Sequence, residues 1–181
     1  MKIPVDKHIH LEFLVPAFAE PLYQLTLKNR AHLKNWLAWL DLVHTLEDTQ
    51  TFIDTAVAQH NDNQGTNFAI IAAGKLVGLA GFNQIDYQNK WGAIGYWLCA
   101  SCTGKGVMTK VVKSLLEYGF VEGKLNKIEI RCAEKNTKSR AIPERLGFTY
   151  EASLRQCEWL YDHYVDHAVY SMLASEYKVQ K

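Results

Sequence analysis

The stretch Gly95 to Phe120, GYWLCASCTGKGVMTKVVKSLLEYGF, constrains the possible folds of this chain most tightly. An apolar run, Ile94 to Ala100, meets a short polar loop that carries Gly104 and Gly106. Val107, Val111, Leu115 and Tyr118, with Met108, Val112 and Leu116, then recur at helical spacing. The pattern predicts a strand, a glycine loop and a helix in immediate succession. The first turn of such a helix presents unpaired N–H groups and the positive end of its dipole, and glycines let a ligand approach that backbone closely. A phosphate or pyrophosphate is the natural guest, with Lys105 adding charge at the rim. The same residues also describe an ordinary tight strand–helix turn. The sequence contains no Gly-x-x-x-x-Gly-Lys-Ser/Thr, and no Gly-x-Gly-x-x-Gly with an acidic residue closing the next strand. Both absences argue against a nucleotide triphosphatase and a dinucleotide dehydrogenase.

With 181 residues, 48% of them hydrophobic, the chain is expected to form one globular domain over residues 1–181. A net charge of +1 and scattered lysines leave no electrostatic footprint for nucleic acid or an anionic membrane. The opening residues, MKIPVDKHIHLEFL, lack the apolar core and cleavage site of a signal peptide. No apolar run approaches the roughly 20 residues that span a bilayer. The expectation is a soluble, cytoplasmic protein. Among the cysteines, Cys99 and Cys102 form a Cys-x-x-Cys, which invites redox or zinc chemistry. Cys132 and Cys157 are too far apart to make a second close pair and fall in predicted strands. The four are therefore read as core or loop thiols, and no metal is expected.

His8 to Leu14 alternates as a strand. Ala17 to Trp39, with Leu22, Leu25, Leu33, Trp36 and Leu37, suits one or two helices with a break near Arg30. Thr45 and Asp48 resemble a capping box ahead of the stripe Phe52, Ile53, Ala56 and Val57, and that helix should end in Asn61-Asp62-Asn63-Gln64-Gly65. From Asn67 the period changes to two. Phe68 to Ala73, a Gly74-Lys75 turn and Leu76 to Phe82 make a hairpin, and Trp91 to Leu98 adds a third strand after a turn at Asp86 to Lys90. The helix behind the glycine loop should end near Gly123, and Lys127 to Cys132 is a short strand. Asn136 caps another helix that runs to a terminal Gly147, with Pro143 expected in its first turn. Phe148 to Leu160 and Tyr164 to Ser175 are the last strands, joined at Tyr161-Asp162-His163.

This order of elements resembles the GNAT acetyltransferase fold, an α/β architecture with a mixed, mostly antiparallel twisted sheet of about seven strands flanked by helices. Thr103-Gly104-Lys105-Gly106-Val107-Met108 is similar to that family's Gln/Arg-x-x-Gly-x-Gly/Ala signature, with departures at Thr103 and Met108. Ile94-Gly95-Tyr96-Trp97-Leu98, Asn136-x-x-Ser139-Arg140-Ala141 and Glu144-Arg145-Leu146-Gly147-Phe148 resemble the RimJ/RimL branch. So do Asn29-Arg30-x-x-Leu33-x-x-Trp36-Leu37 and Glu158-x-x-Tyr161-x-x-x-Tyr164-x-Asp166. The resemblance covers nearly the whole chain, and RimL-type members of the branch acetylate the N-terminal serine of a ribosomal protein.

The resemblance implies transfer of an acetyl group from acetyl-CoA to an amine. Thr103, Gly104, Lys105, Gly106, Val107, Met108 and Thr109 would hold the pyrophosphate by backbone N–H groups. Trp97 and Leu98 would pair with the pantetheine arm where the central strands splay, and an N–H near Leu98 or Cys99 would face the thioester oxygen. Asn136 would bind the pantetheine amides, and Ser139 would hydrogen-bond or protonate the departing thiolate. Glu158 would be the base. On the residues alone, Glu158 reads first as a solvent-facing glutamate on a half-buried strand, and Ser139 and Asn136 describe helix-start residues satisfying local backbone; it is the resemblance that gives Glu158 the catalytic role. Tyr161 and Tyr164 are candidates to line the acceptor cleft. Along one strand His163 and His167 share a face and Asp166 lies opposite, so the three do not converge on a metal.

Three functions fit these features. The first is acetylation of a ribosomal protein's N-terminus, the second acetylation of a small amine such as a polyamine, amino sugar or antibiotic, and the third a non-catalytic acyl-CoA-binding module. An acidic pocket would favour polyamines, but Glu47, Asp48 and Asp54 match the dipole of their own helix. A homodimer is expected from an apolar edge on the last strands and from the habit of the branch.

Overall fold

The period-two pattern after Asn67 is realised as a meander of three antiparallel strands, around which the other elements are laid. The computed structural model describes residues 2–177. Its strands are β1 (Lys2–Pro4), β2 (Ile9–Phe13), β3 (Thr66–Ala72), β4 (Lys75–Asp86), β5 (Trp91–Leu98), β6 (Lys127–Ala133), β7 (Thr149–Leu160) and β8 (His163–Leu173). Its α-helices are α1 (Ala19–Leu33), α2 (Leu46–Asn61), α3 (Val107–Glu117) and α4 (Thr137–Arg145), with a 3-10 turn at Ala38–Leu42 and another at Ala100–Cys102. The sheet order is β1-β2-β3-β4-β5-β6-β8-β7. Every neighbouring pair is antiparallel except β5 and β6. This is the GNAT fold, with eight strands where about seven were expected. The additional strand is the three-residue β1, whose Lys2 reaches Glu12 on β2 at 2.7 Å.

The helices cover both faces of the sheet because each buries one apolar stripe. On α3 that stripe is Val107, Met108, Val111, Val112, Leu115 and Leu116, packed with Phe68, Phe82, Ile94, Ile128 and Ile130 in one core. Full burial of each such side chain stabilises by about 1.5–3 kcal/mol. On the opposite face Leu22 of α1 and Ile53 and Ala56 of α2 pack on Ala69, Ile71 and Leu79 in a second core. The expected capping box opens α2: Thr45 Oγ1 accepts the Asp48 N–H, and Asp48 Oδ2 accepts the Thr45 N–H at 2.8 Å.

Two local expectations are corrected. Helix α1 runs through Arg30 unbroken, and its guanidinium donates to the Leu40 and Val43 carbonyls of the segment that follows. Pro143 is not in the first turn of α4 but well inside it, because Asn136 caps the helix and Thr137 starts it. A proline there has no N–H for the carbonyl four residues back, that of Ser139. The Tyr96 hydroxyl donates to that carbonyl instead, at 3.1 Å. Among the described residues no helix is long and apolar enough to cross a membrane.

Candidate active site

The site begins where the sheet parts. Strands β5 and β6 pair over four residues each, from Trp91↔Lys127 to Ile94↔Ile130, and then diverge. The Cys99 N–H donates to the Val77 carbonyl, and Leu79 lies opposite Trp97. Because bonding direction alternates along an antiparallel strand, Trp97 turns its backbone groups to β4, while those of Tyr96 and Leu98 face the gap. Of the two N–H groups considered for the thioester oxygen, that of Cys99 is thus engaged within the sheet and that of Leu98 points into the slot.

The glycine loop closes one end of the slot. Gly104 and Gly106 sit at φ +78° and +74°, a region that favours glycine, and a Cβ added at either would meet nothing within 4 Å. The loop is therefore an open cradle. Thr103 folds back, with its hydroxyl donating to the Cys99 carbonyl and its N–H to that of Ala100. The next loop bond in the chain is the Lys110 N–H to the Gly106 carbonyl. Val107 and Met108 are buried, which accounts for an apolar Met108 where the family signature has Gly or Ala. Their N–H groups belong to the first turn of α3 and lack intrahelical partners. Lys105 is exposed at the rim. Two contacts here were not foreseen: Arg145 Nη1 donates to Thr109 Oγ1 at 2.9 Å, and Asn29 Oδ1 accepts the Ala100 N–H at 2.9 Å.

Helix α4 supplies one side of the slot. Asn136 Oδ1 accepts the Ser139 N–H at 3.2 Å, so its side chain caps the helix. Ser139 Oγ lies 3.4 Å from the Tyr96 hydroxyl. Burial raises the phenol pKa of Tyr96, keeping it a donor. Cys132, one strand over, is buried, and burial pushes its thiol up to about 11 against a lowering hydrogen bond from Ser139. It is a neutral thiol at physiological pH. All four cysteines are free, and among the described residues no group of three or more His, Cys, Asp or Glu is gathered for a metal.

The candidate base lies on the other face. Glu158 of β7 stands opposite Val165, and its Oε2 is 2.9 Å from His167 Nε2 on β8. The carboxylate is about one-third exposed (34%), so it is neither buried nor a free surface group. Tyr161, in the β7–β8 turn, donates its hydroxyl to the Leu37 carbonyl, and the Lys34 ammonium lies 4.6 Å from its ring centroid. Burial raises the Tyr161 phenol pKa, Asp41 and Glu158 adding to the effect and Arg30 opposing it. This joins the hairpin to the segment after α1, where Trp39 packs 6.3 Å from Trp97. Tyr164 meets Trp159 edge-to-face and lines a cavity of ≈ 310 Å³ with Asn35, Trp36 and Val165. His163 pairs with Asp162, and Asp166 accepts the Gln156 N–H at 2.7 Å. The three residues weighed as a metal cluster thus face separate partners. His167 was weighed there only as a ligand; its pairing with Glu158 follows from the hairpin register.

An interrupted sheet with inward-facing backbone groups, an open anion cradle at a helix N-terminus and polar side chains on both faces define an acyl-CoA-dependent transferase. The chain belongs to the GNAT acetyltransferase family: the model of the acetyltransferase (GNAT) domain matches residues 8–149. It uses acetyl-CoA as cosubstrate and transfers the acetyl group to an amine. It is 32% identical to the ribosomal-protein-serine acetyltransferase of Escherichia coli (strain K12), over 94% of this chain and 96% of that protein. It is also 32% identical to the putative ribosomal N-acetyltransferase YdaF of Bacillus subtilis (strain 168), over 98% and 97%. Among solved structures, a RimL ribosomal α-N-protein acetyltransferase with coenzyme A disulfide-bonded to a cysteine superimposes with a TM-score of 0.93. It is 29% identical, with 96% of this chain and 98% of that one covered. A microcin self-immunity acetyltransferase, MccE, with acetyl-CoA and AMP gives 0.88 at 33% identity, covering 93% and 94%.

Proposed function

We propose that the protein acetylates the N-terminal α-amine, a serine, of a ribosomal protein by direct transfer, with Glu158 as the general base. The observation that carries the acceptor is the similarity to the E. coli serine acetyltransferase over 94% of this chain, a span long enough to take in the helices beside the acceptor face. The chemistry fits that acceptor. The amine attacks as the neutral form, and an α-amine of pKa about 7.7–8 is roughly one-tenth neutral at pH 7, against well under a thousandth for a lysine near 10.4. A carboxylate acting through one water meets so modest a demand. The N–H groups from Gly104 to Thr109 receive the pyrophosphate, that of Thr103 being held by the Ala100 carbonyl, and Leu98 pairs with the pantetheine arm and donates to the oxygen on which charge develops. Asn136 meets the pantetheine amides, and Ser139 hydrogen-bonds the departing thiolate. The protein works in the cytoplasm as a homodimer through the edge strand β7, whose Tyr150 and Trp159 are exposed; sedimentation as a monomer would remove the dimer.

A small amine is the second reading, supported by the likeness to MccE, solved with acetyl-CoA and AMP, and by the part-exposed Trp39 beside Trp97. The test is acetyl transfer to a peptide beginning with the ribosomal protein's serine, set against a polyamine and an aminoglycoside, with wild type and Glu158→Gln side by side. Preferential peptide acetylation, falling about a hundredfold in the variant, is expected. Transfer to the small amines alone would replace the acceptor, and full activity in Glu158→Gln would remove the base.

A further inference from the structure

Glu158 has a partner whose place is set by the strand register. The turn at Tyr161 and Asp162 puts Glu158 opposite Val165, and His167 lies two residues along β8 on the same face, at the diagonal position that long side chains reach. Between Leu154↔His167 and Glu158↔Val165, β7 advances four residues and β8 two, so β7 bulges at 155–157. The bulge is pinned: Gln156 has φ +49°, and its N–H donates to Asp166 Oδ1. The imidazole is the more covered of the pair, 19% exposed against 34% for the carboxylate, and it engages one carboxylate oxygen, Oε2. Nearby charged groups have partners of their own. Arg30 donates to the Leu40 and Val43 carbonyls, Lys34 lies 3.7 Å from Asp41, Asp166 holds the bulge, and Glu134 accepts from Ser153.

We propose that His167 is the positioning residue of the base: its Nε2–H holds Glu158 Oε2, so that Oε1 is presented to the acceptor amine. The proposal rests on Glu158 acting as the base in acetyl transfer. A base acts when its oxygen stays within hydrogen-bond reach of the proton it removes, and a glutamate with free torsions spends little of its time there. His167 removes that freedom without touching substrate.

The test compares His167→Leu, which deletes the donor, with His167→Gln, which keeps an N–H near Nε2, using whichever amine the wild type acetylates. His167→Leu is expected to lower kcat about 10- to 100-fold with KM for acetyl-CoA unchanged, and His167→Gln to stay within about threefold of wild type. In the Glu158→Gln background, His167→Leu should cause no further loss, because it acts through Glu158. Wild-type kcat in His167→Leu, equal losses in the Leu and Gln variants, or an undiminished effect in the Glu158→Gln background would each overturn the proposal. Wild-type turnover in Glu158→Gln sinks the base itself, a failure readable apart from His167. A second measurement needs no turnover: imidazole nitrogen shifts should report a proton on Nε2 of His167 in the wild type. Protonation on Nδ1 alone would overturn the pairing.

Discussion

Replacing Tyr96 by Phe removes one oxygen, and the structure says what loses its partner. Pro143 leaves the Ser139 carbonyl without its helical donor, and the Tyr96 hydroxyl supplies the bond at 3.1 Å. Tyr96→Phe therefore strands a part-buried carbonyl, at a cost of about 1–3 kcal/mol. With a urea slope of about 2 kcal/mol/M, a loss of about 1.5 kcal/mol lowers the unfolding midpoint by about 0.7 M. Pro143→Ala returns an N–H to the helix, and in that background the same Tyr96→Phe change should cost about 1 kcal/mol less. Effects of the lost proline ring occur in both arms of the cycle and cancel. The assay is equilibrium urea unfolding of wild type, both single variants and the double variant. A coupling within about 0.3–0.5 kcal/mol of zero would refute the reasoning, because Tyr96 would then not be replacing the missing helical bond.

Gly106→Val puts a β-branched side chain at φ +74° and fills the open cradle, so it should weaken CoA binding by at least about tenfold. Titration calorimetry with CoA showing unchanged affinity would contradict a role for the loop. The carboxyl of Asp6 is held at about 2, below its ordinary 3.8, first by the Lys110 ammonium at 2.7 Å and then by the His8 N–H. A lowered carboxyl pKa adds stability that is full above 3.8 and is lost as pH falls through about 2. Thermal melts should show the wild type losing more stability than Asp6→Asn over that window, and parallel curves would remove the ion pair as the cause.

The elements legible in the sequence are those whose signals are local. The alternation after Asn67, the Thr45–Asp48 box and the six-residue apolar stripe of the glycine-loop helix all appear where they were expected, because each needs only its own neighbours in the chain. Strand β1 was missed because three residues are too few to show alternation; it exists by pairing with β2. Helix α1 was given a break at Arg30 although no glycine or proline interrupts it there, and it is the guanidinium, not the backbone, that turns to the next segment. Pro143 was placed by its preference for first turns, whereas the cap at Asn136 decides the count. In the candidate site, the glycines, Ser139 and Asn136 were readable from motif and resemblance. The tether of Asn29 to Ala100 crosses 71 residues of sequence, and His167 reaches Glu158 only through a bulged register, so neither leaves a local trace.

The parting of β5 from β6 after Ile94 and Ile130 has a further consequence. An unpaired strand edge at the rim of a sheet invites any passing chain to add itself, and proteins guard such rims with charge, proline or bulges. Here the open edge lies in the middle of the sheet, with β6 and its following helix as one wall and the glycine-loop turn across the end. Position does the guarding: a chain adding itself here would have to come in between two strands of one sheet, whereas at a rim it meets an open side. On the proposed reading it is the arm of acetyl-CoA, and not another chain, that completes the sheet at this gap.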